Sequence, residues 1–589
     1  MWAAQRSHYY VVHHLLTRGA DPTLVDSSGY NLLHLATFDG NIFLLVLLLH
    51  RGLAVDSRDP NDHTALMWAA YKGFPGCVDL FLREGADIHA VDDTGFSALH
   101  WALVRGNYQC IQKLLEYGID RFSANNEGKT PSMVAKELKS EKAWFDALEE
   151  CGYDREGNPL HAPNTVFGVH VQDKDAVLRR FFFLWPTVEI WAVVQCLGWF
   201  PWLAGILSAA AVGAGLHMIA VHALSWTAPG LKAIHRTPYL AGIFAATAFW
   251  TAVTYLVRVL PATFTTAPLS NLLFTAVFSA CIYFYTIAFL ADPGYIPKLS
   301  SVEEQRQVID ALLADWKYDA DNFCTSCMAR MSLRSKHCRP CGRCVAKHDH
   351  HCPWIANCVG VANHRQFVLF VVALEVGILL YLRVAFVYFS TLSGSFPECA
   401  VLSPRLCEVV SADPWSVFIT IWAALQATWV TMLLSVQLLQ IAKAVTTYES
   451  MHASSHTHHK LAAAVTTAVV AGATSTTSAA LEAANRGPDP VVATGWWRKT
   501  TRLLGVDVFM KTTRKSGQRK ERNPFSSTVV GNCKDFWGGE QPAWRVPKEG
   551  GVGLLRGRKV DWGRVYETPR MMGGGYGRVG RGDEEEGLM

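Results

Sequence analysis

The hydrophobic positions of this chain are concentrated in long runs between residues 181 and 441. Six of these runs reach the length of about 20 predominantly apolar residues that a membrane-spanning helix requires. We expect spanning helices at 181–203, 204–224, 239–260, 269–290, 366–390 and 415–441. A buried helix of a soluble protein could explain one such run, but six in succession favour a membrane bundle.

The distribution of Lys and Arg predicts which ends of these helices face the cytosol. Basic residues occupy the segments before the first span and after the second, and ten of them lie in 298–365. The loop between spans three and four has none, and the loop 391–414 has only Arg405. Because basic residues concentrate on the cytosolic side, we expect the N-terminus, the loop 298–365 and the C-terminus to be cytosolic.

Two residue pairs of this region are candidates for direct pairing. Glu375 and Arg383 lie eight residues apart in the fifth span, on roughly one helix face, and charges inside a membrane are usually paired or functional. We expect them to pair inside the bundle. Cys399 and Cys407 would face the lumen, where an oxidising environment could join them in a disulfide.

The residues before the first span repeat with a period of 33. The spacing holds in three series: Asp26, Asp59, Asp92 and Asn125; Ala36, Ala69, Ala102 and Ala135; Gly19, Gly52, Gly85 and Gly118. The units GYNLLHLA, HTALMWAA, FSALHWA and KTPSMVA resemble the TPLHxA signature of ankyrin repeats, each a pair of short helices and a turn. We expect an ankyrin array with the glycines at turns of positive φ, since a generic bundle would not keep three registers.

The array begins inside a repeat. Met1 precedes His34 by 33 residues, and the WAA at residues 2–4 matches the WAA at 68–70. Repeat arrays need a capping unit, so we expect upstream residues to complete the first repeat. The array is predicted to end near residue 151, followed by a polar linker over 152–180.

Composition and charge narrow the class of protein. Half of the residues are hydrophobic, whereas a net charge of +4 is small for 589 residues and gives no indication of a nucleic-acid partner. Of the 15 cysteines, seven lie between Cys324 and Cys358. Such clustering with CxxC spacing, behind no signal peptide, indicates metal ligands and reactive thiols.

This cysteine cluster, between spans four and five, carries the candidate chemistry. It reads Cys324-x2-Cys327-x9-His337-Cys338-x2-Cys341-x2-Cys344-x4-Asp349-His350-His351-Cys352-x5-Cys358. Zinc takes four tetrahedral sulfur and nitrogen ligands, so two ions need eight. Six cysteines other than Cys352, with His337 and one of His350 and His351, supply eight.

The residues left over suit acyl transfer. A thiol at Cys352, an adjacent imidazole to take its proton and a carboxylate at Asp349 to orient the imidazole form a nucleophilic group. The alternative is that all seven cysteines are structural and the region is a plain zinc finger.

The string, with Asn363 and Phe367 after it, resembles the cysteine-rich domain of DHHC protein S-palmitoyltransferases. The resemblance implies that Cys352 takes an acyl group from palmitoyl-CoA and passes it to substrate cysteines, with His350 as base and Asp349 orienting it. It also implies two structural zinc ions in interleaved sites, one with Cys324, Cys327, His337 and Cys344, the other with Cys338, Cys341, His351 and Cys358.

Three weaker motifs match the same family in the correct order. They are Asp292-Pro293-Gly294 after the fourth span, Thr446-Thr447-Tyr448-Glu449 after the sixth, and Asn523-Pro524-Phe525 followed by Asn532 in the tail. The resemblance implies that one Thr lies near Asp349 and that Asn532 braces the fold. The cations of the cysteine cluster could attract the phosphates of the donor, contact anionic lipid or form a solvated face: Arg330, Arg334, Lys336 and Arg339.

The predicted fold is mostly α: an ankyrin solenoid, a six-helix membrane bundle and a small cytosolic two-zinc domain. The predicted divisions are 1–151 ankyrin repeats, 152–180 linker, 181–290 spans one to four, 291–365 DHHC domain, 366–441 spans five and six, 442–545 cytosolic tail and 546–589 disordered tail. Within the tail, 451–490 reads as an Ala-, Thr- and His-rich linker.

The ankyrin-repeat subgroup of the family is found chiefly in Golgi and related membranes. The resemblance therefore implies Golgi or endosomal membranes and membrane-associated protein substrates recruited by the array. A cation channel also combines ankyrin repeats with six spans, but the 391–414 loop shows no filter-like helix. A non-catalytic zinc-dependent adaptor is the second alternative, against which the intact DHHC argues.

Overall fold

The computed structural model describes residues 1–162, 164–392, 403–451, 523–539, 541–547 and 551–567. The predicted linker 451–490 lies outside these residues, except for its first position, and so does Cys399. Cys407 is disulfide-bonded.

Short helices in antiparallel pairs form the N-terminal array. They are α1 Trp2–Gln5, α2 Tyr9–Thr17, α3 Leu32–Phe38, α4 Ile42–His50, α5 Ala65–Lys72, α6 Pro75–Arg83, α7 Ala98–Arg105, α8 Tyr108–Glu116, α9 Pro131–Glu137 and α10 Glu141–Cys151. Their facing sides are rich in Ala and Leu and form one continuous hydrophobic core. This is the predicted solenoid.

The 33-residue period has a local cause in the loops between repeats. Asp59 Oδ1 accepts the backbone N–H groups two and four residues further on, both at 2.9 Å. Asp26, Asp92 and Asn125 make the same two contacts in their own loops. The third series adopts φ between +84° and +89°, the left-handed region that glycine occupies without strain: Gly19, Gly52, Gly85 and Gly118.

Six helices of the described chain are long and apolar enough to cross a membrane. They begin with α11 Lys174–Trp199, α12 Trp202–Ala223 and α13 Tyr239–Thr254, which continues through a π-helical turn Tyr255–Val259 into α14 Leu260–Thr263. The remaining three are α15 Pro268–Leu290, α17 His364–Thr391 and α19 Pro414–Lys443. The first begins before the predicted position 181, because Asp173 caps it by accepting the N–H of Ala176 at 2.8 Å.

The predicted pair of Glu375 and Arg383 is wrong. Glu375 accepts a hydrogen bond from Thr431 on α19 at 2.7 Å, and Arg383 donates to Ser270 on α15 at 3.1 Å. Eight residues turn a helix by about 800°, roughly 80° beyond two full turns. The two side chains therefore face different neighbouring helices.

The cysteine-rich region is built from three two-stranded hairpins. Their strands are β3 Phe323–Cys324 with β4 Ala329–Arg330, β5 Lys336–Cys338 with β6 Arg343–Val345, and β7 His350–Cys352 with β8 Asn357–Val359. A small hairpin, β1 Thr165–Val166 with β2 Val169–His170, precedes α11, and α18 Pro404–Ala412 precedes α19. Single 3₁₀ turns occupy Leu224–Trp226 and Ile234–Arg236.

The C-terminal tail differs from its prediction. Helix α20 Val529–Trp537 is followed by a hairpin of β9 Val552–Leu555 and β10 Arg558–Asp561, where disorder was predicted from residue 546. Trp562 is only 1% exposed. The guanidinium carbon of Arg334 lies 5.6 Å from the centre of its ring, and the ring of Phe525 lies 6.0 Å away. Trp562 and Leu555 are buried in one cluster and anchor this Gly- and Arg-rich segment to the cysteine-rich region.

The ankyrin array is docked on the rest of the protein. Helix α16 Val302–Ala314 and Tyr318 share the hydrophobic core of the array. The Tyr318 hydroxyl donates to the carbonyl of Phe43 at 3.1 Å, and Arg51 forms an ion pair with Asp310. The array is thus fixed beside the first cysteine hairpin.

Candidate active site and metal centres

The hairpin of β7 and β8 positions the central residues of the site. His351 lies opposite Cys358 and Cys352 lies opposite Asn357 in the antiparallel register. Side chains alternate between the two faces of a strand, so His350 and Cys352 share one face and His351 points to the other. The strand period thus separates the two adjacent histidines, which the sequence alone left as alternatives.

Asp349 is fully buried and its carboxylate accepts several hydrogen bonds. Its Oδ2 lies 2.7 Å from Nδ1 of His350 and accepts the Thr447 hydroxyl at 2.8 Å. Its Oδ1 accepts the Thr447 backbone N–H at 2.7 Å. With Nδ1 held in this way, the other ring nitrogen of His350 is the one available to Cys352.

These contacts set the charges of the pair. Burial alone would raise the pKa of Asp349, but the His364 ring and the hydrogen bonds from His350 and Thr447 lower it well below its usual range. Burial alone would lower the pKa of His350, but its hydrogen bonds to Asp349 and Cys352 raise it to about 10. The ring of His350 therefore binds a proton strongly, which favours transfer of the Cys352 proton to it.

Two glutamines and a histidine from the membrane helices extend the network, and sequence reasoning missed them. Gln437 Nε2 reaches Asp349 at 3.4 Å, and its Oε1 lies 2.8 Å from Nε2 of His364. The Gln440 side chain lies beside the Thr447 hydroxyl, with 3.0 Å between Gln440 Oε1 and the hydroxyl oxygen. The available signal was two amides three residues apart at the cytosolic end of the sixth predicted span, since buried polar groups in a membrane helix are costly without a role.

Two four-residue clusters have the geometry of metal sites. One contains Cys324, Cys327, His337 and Cys344, and the other contains Cys338, Cys341, His351 and Cys358. Nδ1 of His337 lies 3.2 to 3.9 Å from the three sulfurs of its cluster. Nδ1 of His351 lies 3.4 to 3.7 Å from its three sulfurs. Neither cluster includes Cys352.

The weaker sequence motifs surround this core. Asp292 accepts the N–H groups of Gly294 and Tyr295, both at 2.7 Å, and turns the chain from α15 into the cysteine-rich region. Asn363 is buried before α17 and donates to the carbonyl of Cys358 at 2.9 Å. Asn532 donates to the carbonyl of Ala442 at 2.8 Å and so ties the tail to the end of α19. Asp292 and Asn363 thus hold the two ends of the cysteine-rich region, and Asn532 holds the tail against α19.

Three of the four cations considered as phosphate ligands are engaged within the protein. Arg334 is bound by both oxygens of Glu449 at 2.7 Å. Arg330 stacks on Tyr566 at 3.9 Å, and Lys336 lies over Tyr448 at 5.4 Å. The contacts of Arg334 with Glu449 and of Arg330 with Tyr566 fasten the C-terminal part of the chain to the cysteine-rich region.

An apolar cavity enters the membrane bundle beside Cys352. The sulfur packs in a cluster with Cys281, Phe370 and partly buried Trp354. Three helices, α15, α17 and α19, supply these residues of the cavity lining: Phe274, Phe278, Cys281, Ile282, Ala373, Leu374, Gly377, Ile378, Tyr381, Ala423, Gln426 and Trp429. Of these, Phe274 on α15 and Tyr381 on α17 lie furthest along their helices from the cysteine-rich region. The arrangement places the Cys352 thiol, the His350 imidazole and space for an apolar chain together.

Comparison with known proteins agrees with this geometry. The sequence profile of the DHHC palmitoyltransferase family matches residues 317–454, and that of ankyrin repeats in three copies matches residues 1–92 and 69–145. The chain is 49% identical to Palmitoyltransferase akr1 of Emericella nidulans, over 94% of this chain and 76% of that protein. It is 46% identical to Palmitoyltransferase AKR1 of Gibberella zeae, over 96% and 80%. It is also 46% identical to Palmitoyltransferase akr1 of Aspergillus oryzae, over 96% and 79%.

A membrane bundle with an inserted cysteine-rich region and a DHHC sequence defines a class of acyltransferase. The chain belongs to the ankyrin-repeat members of the DHHC palmitoyltransferase family. It is therefore an enzyme, a protein S-palmitoyltransferase, as the sequence analysis predicted.

Proposed function

We propose that palmitoyl transfer proceeds through an acyl-enzyme on Cys352. The Cys352 thiol gives its proton to His350, and the thiolate attacks the thioester carbonyl of palmitoyl-CoA. The carbon–sulfur bond to coenzyme A breaks, and the leaving thiolate takes the proton from His350. Asp349 keeps the imidazole in the required tautomer and stabilises it while it is charged.

The second step repeats this chemistry in reverse. A substrate cysteine gives its proton to His350 and attacks the acyl group on Cys352. The thioester passes to the substrate, and Cys352 recovers the proton. Thr447, Gln437 and Gln440 take no part in bond exchange and act as positioning residues, because they touch Asp349 or Thr447 and not the reacting sulfur.

The acyl chain is proposed to occupy the apolar cavity of the bundle. From Phe367, beside the His350 ring at 5.7 Å, to Tyr381 is 14 residues of α17. That length corresponds to about 21 Å of helix rise. One leaflet of a bilayer core of about 30 Å is about 15 Å deep, which is the depth that a single lipid acyl chain fills. The cavity is longer than this depth, so a single acyl chain fits inside it.

Two zinc ions are proposed to occupy the two cysteine and histidine clusters. Tetrahedral zinc with bonds of about 2.3 Å to sulfur and 2.0 Å to nitrogen separates these atoms by about 3.5 Å. The separations of 3.2 to 3.9 Å around His337 and His351 support this assignment. With four protein ligands each, the ions are structural, and their role is to fold the hairpin that carries Cys352.

The array is proposed to recruit membrane-associated substrate proteins. The loops between its repeats, with Trp101 of α7, carry an aromatic and polar surface that includes His63 and Phe96, with Asp93 and Asn126 exposed beside them. Such a surface suits a peptide with apolar and polar contacts. We also propose that both termini and the DHHC domain are cytosolic and that the enzyme resides in Golgi or endosomal membranes.

The observation that carries the catalytic proposal is the single chain of contacts from Asp349 through His350 to Cys352. Labelled palmitoyl-CoA added to the purified full chain tests it. We expect hydroxylamine-labile label on the native protein and on Cys281→Ala, which removes a buried thiol of the same cluster. Cys352→Ala should lose the label and keep its zinc. Normal labelling of Cys352→Ala would refute the assignment.

A further inference from the structure

A short stretch of the C-terminal tail, residues 541–547, runs along the outside of the membrane bundle. Arg365 at the start of α17 donates to the carbonyl of Gln541 at 3.0 Å, and Tyr283 on α15 donates to the carbonyl of Trp544 at 2.8 Å. Both α15 and α17 are long and apolar enough to span a membrane. This stretch, the tail loop, therefore lies against two spanning helices at the end of the bundle that carries the cysteine-rich region.

The depth of the tail loop follows from its contact with α15. Tyr283 precedes the last residue of that helix, Leu290, by seven residues, which corresponds to about 10 Å of rise. The whole helix is about 35 Å long, close to the apolar core of about 30 Å in a bilayer. The Tyr283 hydroxyl thus holds the loop at the level where lipid headgroups give way to acyl chains.

The protein itself satisfies much of the loop backbone. The carbonyl of Arg545 accepts Nε2 of Gln366 on α17 at 3.1 Å. The carbonyl of Pro542 accepts the N–H of Arg545 at 3.1 Å, and Pro542 has no N–H of its own. With Gln541 and Trp544, four carbonyls of the loop have protein donors. Irregular backbone at the edge of the apolar core needs such partners, whereas a loop in water can bond to solvent.

The outward side chains of the loop match the chemistry of a membrane interface. Trp544 is 64% exposed, Val546 is 60% exposed, and Arg545 between them is exposed too. Tyr283 adds a second ring that is 46% exposed on α15. Tryptophan and tyrosine are enriched at the level of the headgroups, and basic side chains are attracted to anionic lipid. The loop thus presents apolar, aromatic and basic groups together on the outer surface of the bundle.

We propose that the tail loop is inserted into the headgroup region of the leaflet next to the cysteine-rich region, with Trp544 and Val546 in contact with phospholipid. The bilayer is the partner, because side chains of two spanning helices hold the loop against their outer surface. The hairpin of β9 and β10 follows the loop in the chain and leads to Trp562, which is buried with the cysteine-rich region. Insertion would therefore hold that region at the membrane surface, whether or not Cys352 is the nucleophile.

The test is photolabelling of the purified full chain in vesicles of phosphatidylcholine and phosphatidylserine. A trace of phosphatidylcholine carries a diazirine either near the ester end of one acyl chain or at its terminal methyl, and labelled peptides are found by mass spectrometry. We expect the probe near the ester to label the peptide that contains Trp544. The peptide that contains Trp316, 75% exposed beside the ankyrin array, should stay unlabelled.

A double variant, Trp544→Ser with Val546→Ser, separates insertion from mere proximity. Both side chains are exposed, so the variant should keep the native midpoint of thermal unfolding in neutral detergent. In vesicles it should lose the label on the loop peptide down to the level of the Trp316 peptide. An unlabelled loop in the native protein, equal labelling of both peptides, or labelling from the terminal-methyl probe alone would overturn the proposal. Cross-linking of the loop to a second chain in place of lipid would overturn it as well.

Discussion

Replacing Tyr381 by alanine should shift the enzyme towards longer acyl chains. Its ring lies 5.6 Å from that of Phe274, and both residues belong to the end of the cavity lining that is furthest from Cys352. Without the ring, the cavity would have room for two further methylene groups of the acyl chain, which the Tyr381 ring excludes in the native protein. At about 0.8 kcal/mol for each buried CH₂, two groups give about 1.6 kcal/mol. That corresponds to a selectivity change of about fifteenfold between stearoyl-CoA and palmitoyl-CoA.

The assay is competition between the two donors on purified protein, with the acyl-enzyme analysed by mass. Tyr381→Phe keeps the ring and removes only a buried hydroxyl without a hydrogen-bond partner among the described residues, so its chain preference should match that of the native protein. Phe386→Ala removes a ring that is 75% exposed on the same helix and should also leave the preference unchanged. An unchanged preference in Tyr381→Ala, or an equal shift in Phe386→Ala, would refute the placement of the acyl chain.

Three further predictions concern the supports of the site. Glu449→Gln leaves Arg334, whose side chain is 4% exposed, without its bidentate partner, and should destabilise the protein by about 3 to 5 kcal/mol in thermal unfolding; a change below about 1 kcal/mol would contradict this. Tyr318→Ala removes a fully buried ring from the interface of the array and should speed hydrogen exchange in both α4 and α16, whereas Trp316→Ala, with a 75% exposed side chain, should not. Cys344→Ser removes one of four ligands of one cluster and should lower the zinc content from two ions per chain to one, measured by atomic absorption; retention of both ions would contradict the assignment of Cys344 as a zinc ligand.

Much of the architecture was predictable because its signals are local in the sequence. The Asp59 turn is fixed by residues within four positions of it, so the array repeats wherever that turn repeats. A membrane span needs only length and apolar composition, and all six predicted spans correspond to helices of the described chain.

Other features depend on contacts between segments far apart in sequence, which local patterns do not encode. Glu375 bonds to Thr431 across 56 residues, and Trp562 packs on Arg334 from the C-terminal tail. The Gly- and Arg-rich composition of that tail predicted disorder, because Leu555 and Trp562 are too few apolar residues to signal a packed segment. The role of Gln437 was equally hidden, because the span also carries Gln426 and Gln440 and only the fold shows which amide meets Asp349.

The roles of the site residues could be predicted from the sequence only in part. The count of ligands could set Cys352 apart from the metal clusters, but it could not distinguish His350 from His351. The register of β7 and β8 makes that distinction, since His351 lies opposite Cys358 while His350 shares a face with Cys352. The two-residue period of the strand, invisible in the cysteine spacing, thus decides which histidine shares a face with Cys352.

The path of the acyl group can be followed directly by a pulse and chase on the purified enzyme. Protein loaded with labelled palmitoyl-CoA is freed of excess donor, mixed with a cysteine-bearing acceptor and digested for mass spectrometry at successive times. We predict that label on the Cys352 peptide decays as label on the acceptor appears, one for one. Acceptor labelling with the Cys352 peptide unmodified throughout would contradict transfer through this cysteine.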